Sequence, residues 1–336
     1  MTVDILIPTY KPGKEFVDLI NQLLKQTMEI RKIIIMNTEE VFFDRLMYEY
    51  PKLQKISKLE IHHLPQNEFD HGRTRHRGMK YSKADICVCM TQDAIPADEH
   101  LIEALIAPLE NQQIAVSYAR QLAKADAGAL EQFSRKFNYP EESKCKTAAD
   151  METMGIKAFF CSDVCAAYNR ETYFALGGFI RHTIFNEDMI FANKALKAGY
   201  QIYYAADAKV LHSHEYGFKQ QLRRNFDLGV SQADHPEVFE GISSESEGKR
   251  MVLSACRHFF EIGKPMEIVH LIMQSGAKYT GYFLGKRYQK LPQSLVLRLT
   301  SNPIYWQQHR LKMEQEKIDA YSGYGQSESE KAMRQK

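Results

Sequence analysis

The chain has 336 residues, 44% of them hydrophobic and 26% charged, with a formal net charge of +2. That composition suits a globular protein able to bury a sizeable core, and so balanced a charge supplies no global field to recruit nucleic acid. No run approaches the ~20 apolar residues needed to cross a bilayer.

In chain order, Met-Thr-Val-Asp-Ile-Leu-Ile lacks the basic region and long apolar run of a secretory leader. It reads as a first strand, Val3 to Ile7, stopped by Pro8. Pro12-Gly13 turns the chain into a helix on which Phe16, Leu19, Ile20, Leu23 and Leu24 recur at helical spacing. Ile33–Met36 is a second buried strand ending in the polar Asn37-Thr38-Glu39-Glu40, so the opening is a βαβ unit with parallel strands. A third strand near Leu59–Leu64 leads to a helix that starts around Gly72 or Arg73 and ends before Ala84. Ile86–Met90 is apolar without alternation, as expected for a strand buried on both faces of a parallel sheet. Thr91-Gln92-Asp93 follows at once, and Pro96 forbids the strand from continuing. Ligands of open α/β sheets bind outside the carboxyl ends of the strands, so Asp93 is an acid placed where phosphates or a metal would sit. A loop cap is its plainer role.

Beyond it, Asp98–Leu109 reads as a helix and Ile114–Ala119 as a strand, and residues 120–155 form a polar insertion without strong periodicity. Order resumes at Phe159–Tyr168, and Gly177-Gly178-Phe179 makes a flexible turn. Asn186-Glu187-Asp188 opens a helix, where acidic side chains suit the helix dipole whatever else they do. A strand pair from Tyr200 to Leu211 ends in His212-Ser213-His214, and alternation puts the two histidines on one face, as two metal ligands or a ligand and its neighbour. From Tyr216 the character is helical, with helices over 219–228, 249–261, 266–285 and 305–318. The expected organisation is a nucleotide-binding and catalytic domain over 1–215, a helical extension over 216–320 and a disordered tail over 321–336. Lys278–Tyr288 mixes basic and aromatic residues, which either pack on the main domain or lie on an anionic membrane surface. Exposed aromatics in these helices would form a homodimer or cover the core. The six cysteines sit mostly in apolar runs, as reduced thiols of a cytoplasmic protein do. Cys161 and Cys165 lack a second Cys/His pair to make a zinc site. Neither G-x-G-x-x-G after the first strand nor G-x-x-x-x-G-K-[ST] occurs, which demotes dinucleotide dehydrogenases and P-loop enzymes.

Ile-Pro-Thr-Tyr at 7–10, Thr-Gln-Asp-Ala at 91–94, Gly-Gly-Phe at 177–179, Glu-Asp at 187–188 and the histidines at 212 and 214 resemble, in type and order, family 2 glycosyltransferases of the GT-A fold. That fold is α/β, with a Rossmann-like, mostly parallel central sheet flanked by helices, here followed by the helical extension. Phe69–Arg75, Thr-Gln-Asp-Ala and Arg224–Val230 are similar to the bacterial rhamnosyltransferase branch, which builds surface polysaccharides from dTDP-L-rhamnose. The resemblance implies that Pro8, Thr9, Tyr10, Asn37 and Glu39 hold the base and ribose, and that Arg75, Gln92 and Asp93 serve the diphosphate. It implies a Mg²⁺ or Mn²⁺ at Asp93 with His212 or His214, imidazole favouring manganese. Asp188 is then the general base of an inverting transfer, with Glu187, Asp163, Gly178, Phe179 and Arg224 around donor sugar and acceptor. The implied acceptor is a saccharide or lipid-linked saccharide, reached by peripheral contact with the inner face of the cell membrane. Two alternatives stand beside this reading: a UDP-hexose or UDP-N-acetylhexosamine donor, and a non-catalytic scaffold of the same fold.

Overall fold

The protein is described by a computed structural model over residues 1–242 and 245–308. The helix expected over 305–318 falls largely, and the tail over 321–336 wholly, outside the described residues. Strands β1 (Val3–Tyr10), β2 (Ile30–Thr38), β3 (Leu59–Leu64), β4 (Ile86–Met90), β5 (Ile95–Pro96), β6 (Ile114–Leu122), β7 (Lys144–Lys146), β8 (Cys165–Asn169) and β9 (Gln201–Leu211) form one sheet. Its order is β3-β2-β1-β4-β8-β6-β9-β5, with β7 also on β9. The half from β3 to β4 is parallel throughout. Past β4 the sheet is mixed: β8 runs antiparallel to both β4 and β6, and β6 runs parallel to β9.

Helices α1 (Lys14–Leu23), α2 (Glu40–Glu49) and α3 (His71–Tyr81) connect the parallel strands. α4 (Leu101–Ile106) follows β5, α5 (Ala129–Asn138) and α6 (Asp150–Met154) flank β7, and α7 (Arg170–Ala175) and α8 (Glu187–Lys197) lie between β8 and β9. The alternation of β1 buries Ile5 and Ile7 with Phe16, Leu19 and Leu101 on one face of the sheet. Leu6 goes to the other face, with Met79, Tyr168 and Phe191. Burial on both faces is why these strands read as unbroken apolar runs.

Four sequence expectations change. β1 does not stop at Pro8 but runs to Tyr10, with Pro8 opposite Met36. Its pairing with β4 ends at Leu6, so the proline stands where the strand has a free edge. That divergence of β1 from β4 also opens the sheet at its carboxyl end. The insertion over 120–155 contains α5, β7 and α6. Leu130 and Phe133 of α5 pack with Ala255 and Phe259, a helical spacing hidden among lysines and glutamates. The expected strand pair over 200–211 is a single strand whose register against β6 shifts between Ala205 and Lys209. Its other edge carries β7 on Ile202–Tyr204 and then β5 on Val210–Leu211. Pro96, expected only to end β4, is itself in that short β5.

The C-terminal helices are α9 (Phe218–Asp234), α10 (Pro236–Phe239), α11 (Glu245–Glu261), α12 (Pro265–Gly285) and α13 (Gln293–Leu299). α12 lies so close on α9 that a Cβ at Gly281 would sit 2.1 Å from the carbonyl oxygen of Leu222. Part of the segment Lys278–Tyr288 packs, but against α9 of the helical extension rather than on the domain over 1–215. Tyr282 donates to Gln232 at 2.7 Å and Tyr288 to Asp234 at 2.5 Å, whereas Tyr279 and Phe283 stay exposed. No described helix is long and apolar enough to cross a membrane.

Candidate active site

Two strand pairings assemble the first half of the site. The turn Thr91–Ala94 leads into Ile95, which pairs with Leu211, so Asp93 arrives beside the residues that follow β9. His212 is pinned by its amide to the carbonyl of Leu122 at 2.9 Å, closing the end of β6 on the same spot. Nε2 of His214 then lies 2.9 Å from Oδ2 of Asp93, and Nε2 of His212 lies 3.6 Å from it. The two Nε2 atoms are 3.0 Å apart. Among the described residues this is the one group of three side chains whose ligand atoms converge as a metal site requires, all within 4.8 Å.

The donor set fits a divalent cation. Oε1 of Gln121 accepts from the guanidinium of Arg135, which can only donate, and lies 3.0 Å from Nδ1 of His212. Nδ1 of His212 therefore carries the proton, leaving the Nε2 lone pair turned toward Asp93. The remaining proton, on Nε2 of His214, bridges to Asp93 and His212, and a cation would take its place. Burial alone would raise the Asp93 carboxyl, but the hydrogen bond from His214 and both imidazoles bring it well below the usual carboxylate range. Burial pushes the His212 imidazolium down to about 3 against the pull of Asp93, so this ring is neutral and free to ligate.

The second half forms where β8 meets α8. Because β8 pairs antiparallel with β4 through Met90 and Cys165, the loop before β8 lies against Thr91, whose amide donates to Val164. In that loop Asp163 is buried, accepting from Tyr168 Oη at 2.6 Å and lying 3.1 Å from Nε of Arg75. Arg75 also donates to Glu187 at 2.8 Å. Asp188 accepts from the amides of Asp163 at 3.0 Å and Met189 at 2.7 Å. Burial raises the Asp188 carboxyl well above its ordinary value, and the negative charges of Glu187 and Asp163 add to the shift. Burial likewise pushes Asp163 up to about 7, Arg75 opposing and Glu187 reinforcing. Three carboxyl groups thus share one guanidinium, a surplus of negative charge that favours a proton or a cationic group nearby.

Both halves line one cleft of about 930 Å³, together with Tyr10, His71 and Arg224. Among the described residues, the three non-glycine ones with positive φ, Lys11, Glu39 and Asn186, stand at the ends of β1 and β2 and before α8, all bordering this region. Gln92 holds the Tyr10 backbone by a reciprocal pair of hydrogen bonds, 3.0 and 3.1 Å, and thereby ties the β1 loop to the Asp93 turn. Thr9 donates to Asn37 at 3.0 Å, and Asn37 donates to the Glu39 carbonyl. The Glu39 carboxylate turns away to accept from the Gln66 amide. Pro8 lies behind this loop in β1. Gly178 and Phe179 are not brought to the cleft. A Cβ at Gly178, where φ is +68°, would lie 2.5 Å from Nδ1 of His76, and Phe179 is buried against Tyr173. The sequence reading missed Arg135, whose signal lay in the aromatic spacing of α5, and Gln121, a buried amide inside β6. It also missed Asp70, which caps α3 by accepting from the Arg73 amide.

The fold is similar to those of solved glycosyltransferases. One is the mannosyltransferase PcManGT of Pyrobaculum calidifontis in complex with GDP-Man and Mn²⁺, with TM-score 0.52 and 14% identity, covering 90% of this chain and 82% of that one. Another is S. aureus TarS in complex with UDP-GlcNAc, with TM-score 0.53 and 12% identity, covering 86% and 92%. These likenesses show the GT-A fold. The profile described as Glycosyl transferase family 2 matches residues 4–175. The O-antigen chain rhamnosyltransferase RfbN of Salmonella typhimurium is 34% identical over 308 residues, 91% of this chain and 96% of its own length. WbaN of Salmonella anatum, also an O-antigen chain rhamnosyltransferase, is 33% identical over 305 residues, 90% and 95%. The chain belongs to family 2 of the glycosyltransferases.

Proposed function

We propose that the protein transfers L-rhamnose from dTDP-β-L-rhamnose, with inversion, to a hydroxyl of a saccharide acceptor in O-antigen assembly. The observation that carries this reading is the 34% identity to an O-antigen chain rhamnosyltransferase over 91% of the chain. Tyr10 and Thr38, where β1 and β2 end at the cleft, receive the base and ribose, with Thr9, Asn37 and Glu39 bracing that loop from behind. A Mn²⁺ or Mg²⁺ at Asp93, His212 and His214 would neutralise the charge that builds on the departing diphosphate. Asp188 takes the proton of the acceptor hydroxyl as that oxygen bonds to the anomeric carbon and the bond to the diphosphate breaks, giving an α-L-rhamnoside. Arg75 holds Asp163 and Glu187, which keep Asp188 surrounded by negative charge and therefore basic. Residues 1–215 act as the catalytic domain, and the helices after it meet a lipid-linked acceptor at the membrane surface.

A panel of nucleotide sugars tests this directly by following donor hydrolysis with Mn²⁺ and repeating it in EDTA. Release of dTDP from dTDP-rhamnose, abolished by EDTA, is the expected result. Release of UDP but not dTDP would move the assignment to a UDP-hexose or UDP-N-acetylhexosamine donor. Undiminished turnover in EDTA would remove the cation from the mechanism.

A further inference from the structure

A second chamber of about 800 Å³ adjoins the cleft and shares a wall with it that includes Phe185, His214, Tyr216 and Arg224. Its lining is strongly basic, with seven lysine or arginine side chains against two glutamates. Several of these cations are already answered. Arg135 pairs with Glu131, Lys157 and Arg250 share Glu247, and Lys146 donates to the carbonyls of Lys157 and Phe160. Lys144, Lys278 and Arg224 differ, since none has a carboxylate ion-pair partner among the described residues, and of the three Lys144 is exposed. Arg224 instead stacks on Phe185 at 4.7 Å and Tyr216 at 5.6 Å, at the boundary between the chambers. Burial lowers the Lys278 ammonium below its ordinary range, a cost that an anion beside it would offset. The helices α11 and α12 that carry Arg250 and Lys278 also leave Leu253, Phe260, Met266 and Ile272 between 58% and 76% exposed.

Resting on the glycosyl-transfer reading above, we propose that this chamber binds a phosphate or diphosphate group carried by the acceptor. The donor's own diphosphate belongs at Asp93 and the histidines, so the second set of cations needs a second anion. Cations reaching in from α5, α9, α11 and α12 suit a multiply charged tetrahedral group better than a planar carboxylate. The apolar outer face of α11 and α12 matches the chain of an amphiphile whose anionic head enters the chamber. Anchoring the acceptor there would hold its sugar at the neighbouring Asp188.

The test is calorimetric titration of the full chain, in EDTA so that no cation bridges at Asp93, with decyl diphosphate, inorganic diphosphate and a neutral decyl glycoside. The wild type should bind decyl diphosphate at least about tenfold more tightly than the neutral glycoside, and Lys278→Gln with Arg250→Gln should erase at least about tenfold of that affinity. Mn²⁺-dependent donor hydrolysis by the double variant should stay within about twofold of wild type, which also shows that it is folded. Decyl diphosphate binding above inorganic diphosphate supports a lipid-borne phosphate, and equal binding supports a phosphate on a soluble acceptor. Wild-type affinity no greater for the diphosphate than for the neutral glycoside overturns the proposal, as does a double variant that binds like wild type. Parallel loss of donor hydrolysis overturns it too, because the chamber would then belong to the donor site. Failure of the wild type to hydrolyse any donor sinks the transfer reading instead and leaves the anion titration readable.

Discussion

Asp93 and Asp188 line the same cleft, yet their surroundings drive them in opposite directions. Asp93 faces two imidazoles and is held ionised far below the ordinary carboxylate range. Asp188 faces Glu187 and Asp163 and is pushed far above it. Identical side chains therefore carry different chemistry: a permanent negative charge suited to a cation, and a carboxylate with enough proton affinity to take a proton from a hydroxyl. The proposed assignment of a metal side and a base side rests on those neighbours rather than on residue type.

The largest expected effect breaks the base side alone. Asp188→Asn keeps an acceptor for the Asp163 amide, so the fold should survive while sugar transfer falls by about 10²–10⁴-fold. Mn²⁺ affinity, read by electron paramagnetic resonance, should be unchanged. Equal loss of both would show that the two clusters are one unit. Asp93→Asn should give the converse, with Mn²⁺ affinity at least about 100-fold weaker, beyond the ~10–100-fold range known for partners behind a ligand.

Gln121 sharpens the comparison one step behind the ligands. Gln121→Leu removes the acceptor for Nδ1 of His212 and should weaken Mn²⁺ binding by about 10–100-fold, with transfer restored at high Mn²⁺. Gln121→Glu retains that acceptor, so its affinity should be close to wild type. Nitrogen NMR of His212 should report the Nδ1-protonated tautomer in wild type and its loss in Gln121→Leu. Affinity loss in both variants would point to a packing role for Gln121.

The smallest effect concerns a carboxyl that shares the upward shift without sharing the chemistry. Asp70 caps α3, accepts from the Thr183 amide at 3.2 Å and has Nδ1 of His182 3.7 Å away. Burial raises it to about 6. A carboxyl raised on folding stabilises most when protonated, so its contribution is full below pH about 3.8 and fades as pH rises through about 6. Asp70→Asn should therefore flatten the stability profile between pH 4 and 7, by no more than about 3 kcal/mol. Melting temperatures of both proteins at the two ends of that range measure it. Transfer activity should be nearly unaffected.

Much of this molecule is legible along the chain. β4 falls where an apolar run places it, β3 over the expected Leu59–Leu64, α1 where a helical stripe places it, and α8 where an acidic first turn places it. These signals are local, because burial on one or two faces stamps its period on adjacent residues. Candidate residues were legible as types at strand ends, where Asp93, His212 and His214 were found, and in the first turn of α8, where Asp188 was found. α5 was missed because its apolar stripe is half covered and interrupted by charge. Gln121 was missed because a buried amide inside a strand carries no pattern at all.

What the linear order could supply was thus the set of elements and the chemical kinds at their ends. Which of those ends meet was decided in three dimensions. A two-residue strand, Ile95–Pro96, delivers Asp93 to the histidines, and it is too short to leave any periodic trace. The proton affinities of Asp93 and Asp188 depend on burial and on charges brought from distant parts of the chain, so they exist only once the sheet and α8 have closed around them. The partition of Lys278–Tyr288 between packed tyrosines and exposed rings has the same origin, since the close approach of α12 to α9 at Gly281 sets which side faces inward.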